Sequence, residues 1–202
     1  MRGRQLFLIV FTTGLAGMIG CRSSAPIPGP PKAVDHYIEG AELLQQGRRQ
    51  QAMAALQEAV QANPDLISPR NLLGQLYRDA GRYKSALVQY QNLVRLDPYT
   101  VSNHYYLALC YHFLNRFVEA QQAYLDALRL DPRDFKSNMN LGLVKLALGE
   151  NSSAIHYLKL ASQIDPKSAP VWANYGVALD SDGQYSKAEQ CYRRSLELDA
   201  SN

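Results

Sequence analysis

Cysteine is scarce in this sequence: Cys21, Cys110 and Cys191 are the three among 202 residues. Thiols so few and so far apart make neither a disulfide framework nor a metal site. Charge of one sign is lacking too, with 21 Lys and Arg against 18 Asp and Glu and a formal net charge of +3. Arg2 and Arg4 fall in a leader expected to be removed, and no acidic residue precedes Cys21, which leaves +1 of that +3. Nucleic-acid binding rests on several clustered Lys/Arg–phosphate contacts, so no nucleic-acid partner is expected. Also absent are His-Glu-x-x-His, a nucleophile elbow, a phosphate loop and a metal-spaced cysteine pair. No catalytic site, metal or cofactor is expected, and the chain is not read as an enzyme. A lone carboxylate such as Asp180 reads as solvated surface. Cys110 and Cys191 read as small packing residues. What remains is ordinary for a folded chain, with 47% apolar and 19% charged residues.

Long hydrophobic runs are lacking as well. The one apolar stretch, Leu6 to Gly20, follows Arg2 and Arg4 and ends in small residues. At 1.5 Å per residue it spans about 22 Å, short of a ~30 Å hydrocarbon core. That favours an export signal over a permanent span. The stretch closes on Met18-Ile19-Gly20-Cys21, which resembles the bacterial lipobox, Leu-Ala/Ser-Gly/Ala-Cys. Met18 departs from the usual Leu but keeps its flexible apolar character. The resemblance implies a signal peptide over 1–20, cleavage before Cys21, a diacylglycerol on its thiol and acylation of the new N-terminus. The alternatives are an ordinary secretory signal or an uncleaved anchor. Against the first, the nearest small-residue site, Ser23-Ser24-Ala25, is followed by Pro26. Several acyl chains on Cys21 would anchor stably where one binds only marginally. Arg22 is not the Asp that retains enteric lipoproteins in the inner membrane, so the outer membrane, facing the periplasm, is favoured. Residues 22–32, RSSAPIPGPPK, hold four prolines. They cannot form helix, and they suit a polyproline II tether of up to about 35 Å or plain disorder.

From residue 33 the sequence repeats. Pro64, Pro98, Pro132 and Pro166 fall at a constant interval, and Ala200 stands where a fifth would be. With proline as position 32 of a 34-residue unit, the repeats are 33–66, 67–100, 101–134, 135–168 and 169–202. Position 20 is Ala52, Ala86, Ala120, Ala154 and Ala188; position 8 is Gly40, Gly74, Ala108, Gly142 and Gly176. Position 15 is Gly47, Gly81, Asn115, Gly149 and Gly183, and position 24 is Leu56, Tyr90, Tyr124, Leu158 and Tyr192. This pattern resembles the tetratricopeptide repeat (TPR). The resemblance implies an all-α fold, a right-handed α-solenoid of five helix-turn-helix repeats, hence ten helices and no strand.

Each position has a physical reason. Small residues at 8 and 20 let paired helices approach, while larger ones at 4, 7, 11 and 24 fill the space between repeats. Gly or Asn at 15 permits the left-handed backbone that ends the first helix. Proline at 32 ends the second. His36 and His104 stand at position 4, where Trp172 stands in repeat 5, so packing is their expected role. Glu39 at position 7 and Arg49 at 17 make repeat 1 the most divergent, as a terminal repeat allows. Glu189 at 21 replaces Met53, Leu87 and Ile155 of other repeats, although Gln121 is polar there too. Some apolar surface is expected to stay open at the C-terminal end.

At about 100° per residue, positions 2, 5, 6, 9, 12 and 13 of each first helix lie almost opposite the core-facing positions. The resemblance implies that this face lines a concave groove that binds peptides or helices. Its residues are Asn71, Gln75, Arg78 and Asp79 in repeat 2, and Tyr105, Tyr106, Leu109, His112 and Phe113 in repeat 3. Lys136, Met139 and Asn140 follow in repeat 4, then Asn174 and Asp180 in repeat 5. Leu109, Leu143 and Val177 also serve packing between first helices. Tyr105, Tyr106, His112 and Phe113 read as a central aromatic patch, and Asn140 with Asn174 as a ladder for a ligand backbone. A segment with aromatic or aliphatic anchors beside an acidic residue fits this face. The family's clamp for a C-terminal carboxylate is not matched: Asn140 stands where it needs Arg, and Tyr106 where it needs Asn. In size and layout the chain resembles lipid-anchored assembly factors of type IV pili and adhesion systems. That implies a scaffold in the cell envelope, with an adaptor for an envelope peptidase, cell-wall hydrolase or transferase as the alternative.

Overall fold

The computed structural model describes residues 32–200. The signal peptide read over 1–20, the lipidation site Cys21 and all but the last residue of the linker lie outside them. Ten helices occupy the described residues, none of which forms a strand. They are α1 (Lys32–Gln45), α2 (Arg49–Ala62), α3 (Ile67–Asp79), α4 (Tyr83–Leu96), α5 (Val101–Phe113), α6 (Phe117–Leu130), α7 (Phe135–Ala147), α8 (Asn151–Ile164), α9 (Ala169–Ser181) and α10 (Tyr185–Asp199). Each helix packs on its chain neighbours, and α7 also touches α5 and α9. The result is an α-solenoid with its odd-numbered helices stacked side by side. No described helix is long and apolar enough to cross a membrane.

Local chemistry stops every helix at its place. After α5, Asn115 takes φ 58, the left-handed region. Its N–H donates to His112 O at 2.9 Å, and that of Arg116 to Tyr111 O at 2.9 Å. This pair of reversed bonds satisfies carbonyls that a helix end leaves orphaned. Gly81 repeats it after α3, at φ 68. Second helices end differently. Asp131 Oδ1 accepts from the N–H of Arg133 at 2.9 Å, and Asp165 Oδ1 from that of Lys167 at 3.1 Å, forming tight side-chain turns ahead of the next repeat.

Position 4 holds a feature that packing alone does not predict. His104 Nε2 donates to Pro98 O at 2.8 Å, Asn138 Nδ2 to Pro132 O at 3.1 Å and Trp172 Nε1 to Pro166 O at 3.0 Å. In repeat 2 Arg70 Nε does the same to Pro64 O at 2.7 Å. Four side chains of different shape thus carry one N–H to one carbonyl, tying α3, α5, α7 and α9 each to the turn before it. A carbonyl can only accept, so His104 is protonated on Nε2.

Tight packing sets the helix pairs together. A Cβ on Gly142 would sit 2.5 Å from Leu158 Cγ, and one on Gly176 would sit 2.6 Å from Tyr192 Cε1. Positions 8 and 24 therefore interlock within each repeat. Ala52, Ala86, Ala120 and Ala154 at position 20 are fully buried. Between repeats, positions 3, 7 and 10 carry the contact, as with the buried Ser137, Leu141 and Val144 of α7. In α1 the same positions are Asp35, Glu39 and Glu42, so the outer face of repeat 1 is acidic. At the other end Leu196 is 68% exposed, whereas Leu128, its counterpart in repeat 3, packs beside Leu141 and Val144.

Candidate functional site: the concave groove

Along α3, α5 and α7 the groove face concentrates aromatic rings between two cations. Tyr106 lies 5.0 Å from Tyr105, edge to face, and stacks on Tyr90 at 5.3 Å. Tyr105 in turn meets Tyr124 at 6.0 Å. The Arg78 guanidinium lies 4.4 Å above the Tyr106 ring, and Lys136 Nζ lies 6.0 Å from that of Tyr105. Cation–π contacts of this kind hold a charged group on an aromatic face. Arg78 Nη2 also donates to Asp79 Oδ1 at 3.0 Å. Burial pulls the Arg78 pKa down, but its bond to Asp79 and the facing Tyr90 and Tyr106 outweigh this and raise it.

Tyr90 and Tyr124 belong to second helices, so periodicity assigned them to packing. They reach the groove floor because position 8 opposite them is small. Tyr90 Cζ lies 3.1 Å from where a Gly74 Cβ would stand, and in repeat 3 the fully buried Ala108 holds the same position in one cluster with Tyr124. Tyr at 24 across from Gly or Ala at 8 was the available signal. Both hydroxyls are buried without a partner, as is Arg78 Nη1. Burial pushes the pKa values of both tyrosines well above the ordinary phenol range, so they stay neutral. Cys110 beside them is a free thiol, pushed up to about 12 by burial. It is a packing residue with no thiolate to offer.

The aromatic residues of α5 form two clusters rather than one central patch. Phe113 stacks flat on Tyr83 at 4.4 Å, and His112 meets Phe113 at 6.0 Å and Phe117 at 5.9 Å. Seven residues separate Tyr106 from Phe113, about 10 Å along the axis. Residues sharing a face need not share a height, and Phe113 ends beside the turn between α3 and α4. Burial lowers the His112 pKa, and its Nδ1 is buried without a partner.

Asn140 and Asn174 are not equivalent rungs. Asn140 is 8% exposed, and its Nδ2 donates to Lys136 O at 2.8 Å. A short amide inside a helix readily folds back on the carbonyl four residues earlier. Its amide is therefore engaged within its own helix, while Asn174 on α9 is half-buried. Asn71 accepts from Gln75 Nε2 at 3.2 Å, again within its own helix.

Beside the tyrosine pair a cleft of 370 Å³ opens between α5 and α7. Val101, Tyr105, Tyr106 and Phe135 give it apolar walls. Asp131, Asp134 and Lys136 stand at its rim. Among the described residues no group of three or more His, Cys, Asp or Glu is placed to hold a metal ion.

Comparison with known proteins bears on the array as a whole. One family model, Tetratricopeptide repeat, matches residues 43–98 and 145–202, and a second of the same description matches 71–135 and 113–169. The small glutamine-rich tetratricopeptide repeat-containing protein 2 of Mycosarcoma maydis is 42% identical over 55 residues, 27% of this chain. The match spans only 16% of that relative. Among solved structures, MamA from Desulfovibrio magneticus RS-1 superposes with a TM-score of 0.79 at 17% identity, over 86% of this chain and 98% of its own. A further MamA structure gives 0.76 at 23% identity, over 80% of this chain and 95% of that one. YrrB, described as a TPR protein with an unusual peptide-binding site, gives 0.73 at 17% identity, over 82% of this chain and 86% of its own. These likenesses show the shared solenoid fold.

Proposed function

Because the chain belongs to the tetratricopeptide-repeat family, whose arrays are protein-interaction scaffolds, we propose that it holds a protein partner at a bacterial envelope membrane, gripping a short segment of that partner in the concave groove of repeats 2 to 4. The observation that carries the groove reading is the Arg78 guanidinium laid on Tyr106 with one nitrogen unpartnered, over a floor of four tyrosines. Tyrosine and arginine are the residues most often found at binding hot spots, and a seam between helices needs no unpartnered donors. YrrB offers a precedent for peptide binding on this fold.

The membrane half of the proposal rests on Met18-Ile19-Gly20-Cys21. Acyl chains on Cys21 tether the array by the proline-rich segment, and the residue after it, Arg22 rather than a retaining Asp, favours the outer membrane, facing the periplasm. In this reading the chain is not a catalyst. It positions its partner during assembly of a pilus, secretion or adhesion complex.

Crosslinking from membranes with the full chain identifies the partner, which is then titrated against variants. Tyr106→Ala is expected to weaken binding by ~2 kcal/mol or more, about thirtyfold. His156→Ala, exposed on α8, is expected to change nothing. The reverse pattern removes the groove from the proposal and moves the site to the outer face.

A further inference from the structure

We infer that the groove reads a two-point motif: an acidic side chain on Arg78 and, two or three residues along an extended ligand, an aromatic side chain in the cleft between α5 and α7. This rests on the groove reading above and specifies what the groove selects.

Arg78 is the acidic point. Its planar guanidinium lies over Tyr106, which keeps the charge at the groove. Nη2 already donates to Asp79, whose carboxylate is 44% exposed and easily shared with solvent or ligand. Nη1 is covered and has no acceptor. A guanidinium that turns outward to a carboxylate gives that nitrogen its first acceptor and completes a forked pair. Lys136 is the weaker candidate, since it is exposed and stands beside the rim carboxylates of the cleft.

The cleft is the aromatic point. Its walls are Val101, Tyr105, Tyr106 and Phe135, and its volume is 370 Å³. Asp131 and Asp134 at the rim repel an acidic side chain, which keeps the two points from exchanging roles. The same carboxylates accept hydrogen bonds from a Trp or Tyr donor. An aromatic residue with a polar tip therefore suits the cleft better than a plain aliphatic one.

The ring chain sets an upper bound on the spacing. Arg78 Cζ lies 4.4 Å from the Tyr106 centroid, and that ring lies 5.0 Å from Tyr105; both tyrosines line the cleft, so the two points are no more than the sum of those steps apart. One turn of polyproline II advances ~9 Å in three residues and returns side chains to the same side. A β-strand puts same-side residues ~7 Å apart, within the bound, or ~13 Å apart, beyond it. The motif is thus an acidic and an aromatic residue two or three apart in an extended segment.

The test uses the full chain and fluorescein-labelled dodecapeptides, acetylated and amidated at their ends. Each carries one Glu and one Trp at separations of one to seven residues. Anisotropy titrations are expected to give the tightest binding at a separation of two or three. Changing that Glu to Gln should weaken binding about tenfold. Arg78→Gln should abolish the Glu-over-Gln preference, while Arg78→Lys keeps part of it. Thermal melts of both variants check that the array still folds. A best separation of one, or of four or more, or a Glu preference that survives Arg78→Gln, overturns the motif. A random dodecapeptide phage library, panned in parallel on the full chain, separates the two levels. Selected peptides that lose binding with Tyr106→Ala but lack the pair overturn the motif and keep the groove. Peptides indifferent to Tyr106→Ala, or no binders at all, overturn both.

Discussion

Adding one methyl group at position 8 should act in opposite directions in two repeats. In repeat 4 a Cβ on Gly142 would stand 2.5 Å from Leu158 Cγ, 3.0 Å from Cδ2 and 3.2 Å from Cδ1. The clash is with the branch point of a fully buried leucine that clusters with the buried Ala154 and Ala178, so Leu158 has little room to move. Overpacking of this kind costs ~1–3 kcal/mol, against which Gly→Ala gains ~1 kcal/mol of helix propensity. Gly142→Ala is therefore expected to destabilise by about 1 kcal/mol net, within a range of roughly 0–2. In repeat 2 the nearest atom to a Gly74 Cβ is Tyr90 Cζ at 3.1 Å, a contact that yields to a few tenths of an ångström. Repeat 3 shows the accommodated state, since Ala108 already faces Tyr124 with both fully buried. Gly74→Ala should then keep most of the propensity gain and stabilise by up to ~1 kcal/mol. Circular-dichroism melts read the difference as a shift of ~2–4 °C per kcal/mol in a chain of this size. Amide exchange over α7 and α8 localises it, because repeat arrays can open in parts. If Gly142→Ala melts at or above the parent temperature, or Gly74→Ala loses more than Gly142→Ala, then positions 8 and 24 do not interlock as described.

The position-4 bonds predict a graded loss. Trp172→Phe removes one donor from an exposed bond and should cost ~0.5–1.5 kcal/mol, while Asn138→Leu removes a fully buried amide that donates to both Pro132 and Asp134 carbonyls and should cost ~1–3 kcal/mol. Thermal melts of the two variants rank them. Cys110, raised to about 12, should resist iodoacetamide at pH 8 until urea unfolds the chain, after which its thiol titrates near the ordinary ~8.5. Its contribution to stability is present in full below that unfolded value and falls as pH rises towards 12, so a melt at pH 10 should lie below one at pH 7. Cys21→Ser should abolish metabolic lipid labelling and leave unprocessed precursor or released protein; a processed variant that stays membrane-bound ends the lipoprotein proposal.

The solenoid was readable in the sequence, and the floor of its groove was not, because different kinds of constraint act on them. Position 15 is fixed by one residue's own backbone: Asn115 at φ 58 needs no knowledge of its neighbours. Position 31 is similar, since Asp131 caps a turn two residues away. Such local demands recur unchanged, and recurrence is what a single sequence displays. Position 4 hides its rule because Arg70, His104, Asn138 and Trp172 look unrelated until a shared N–H meets a shared carbonyl. The groove hides more, because its contacts join different repeats. Arg78 belongs to α3 and Tyr106 to α5, and the Tyr90 beneath them comes from α4. A helical wheel groups Asn140 with the groove face, yet it cannot show that its amide is turned back to Lys136. The consequence reaches function. Tyr90 and Tyr124 fill the core between paired helices and also support the rings that a ligand would touch, so core and groove share side chains. A ligand pressing on Tyr106 therefore presses on a fully buried residue that packs against Gly74. Close-packed interiors transmit strain rather than absorb it, so an occupied groove should tighten α3 against α4. Protection from amide exchange along those two helices, rising when partner is bound and unchanged with Tyr90→Leu, would be the mark of that coupling.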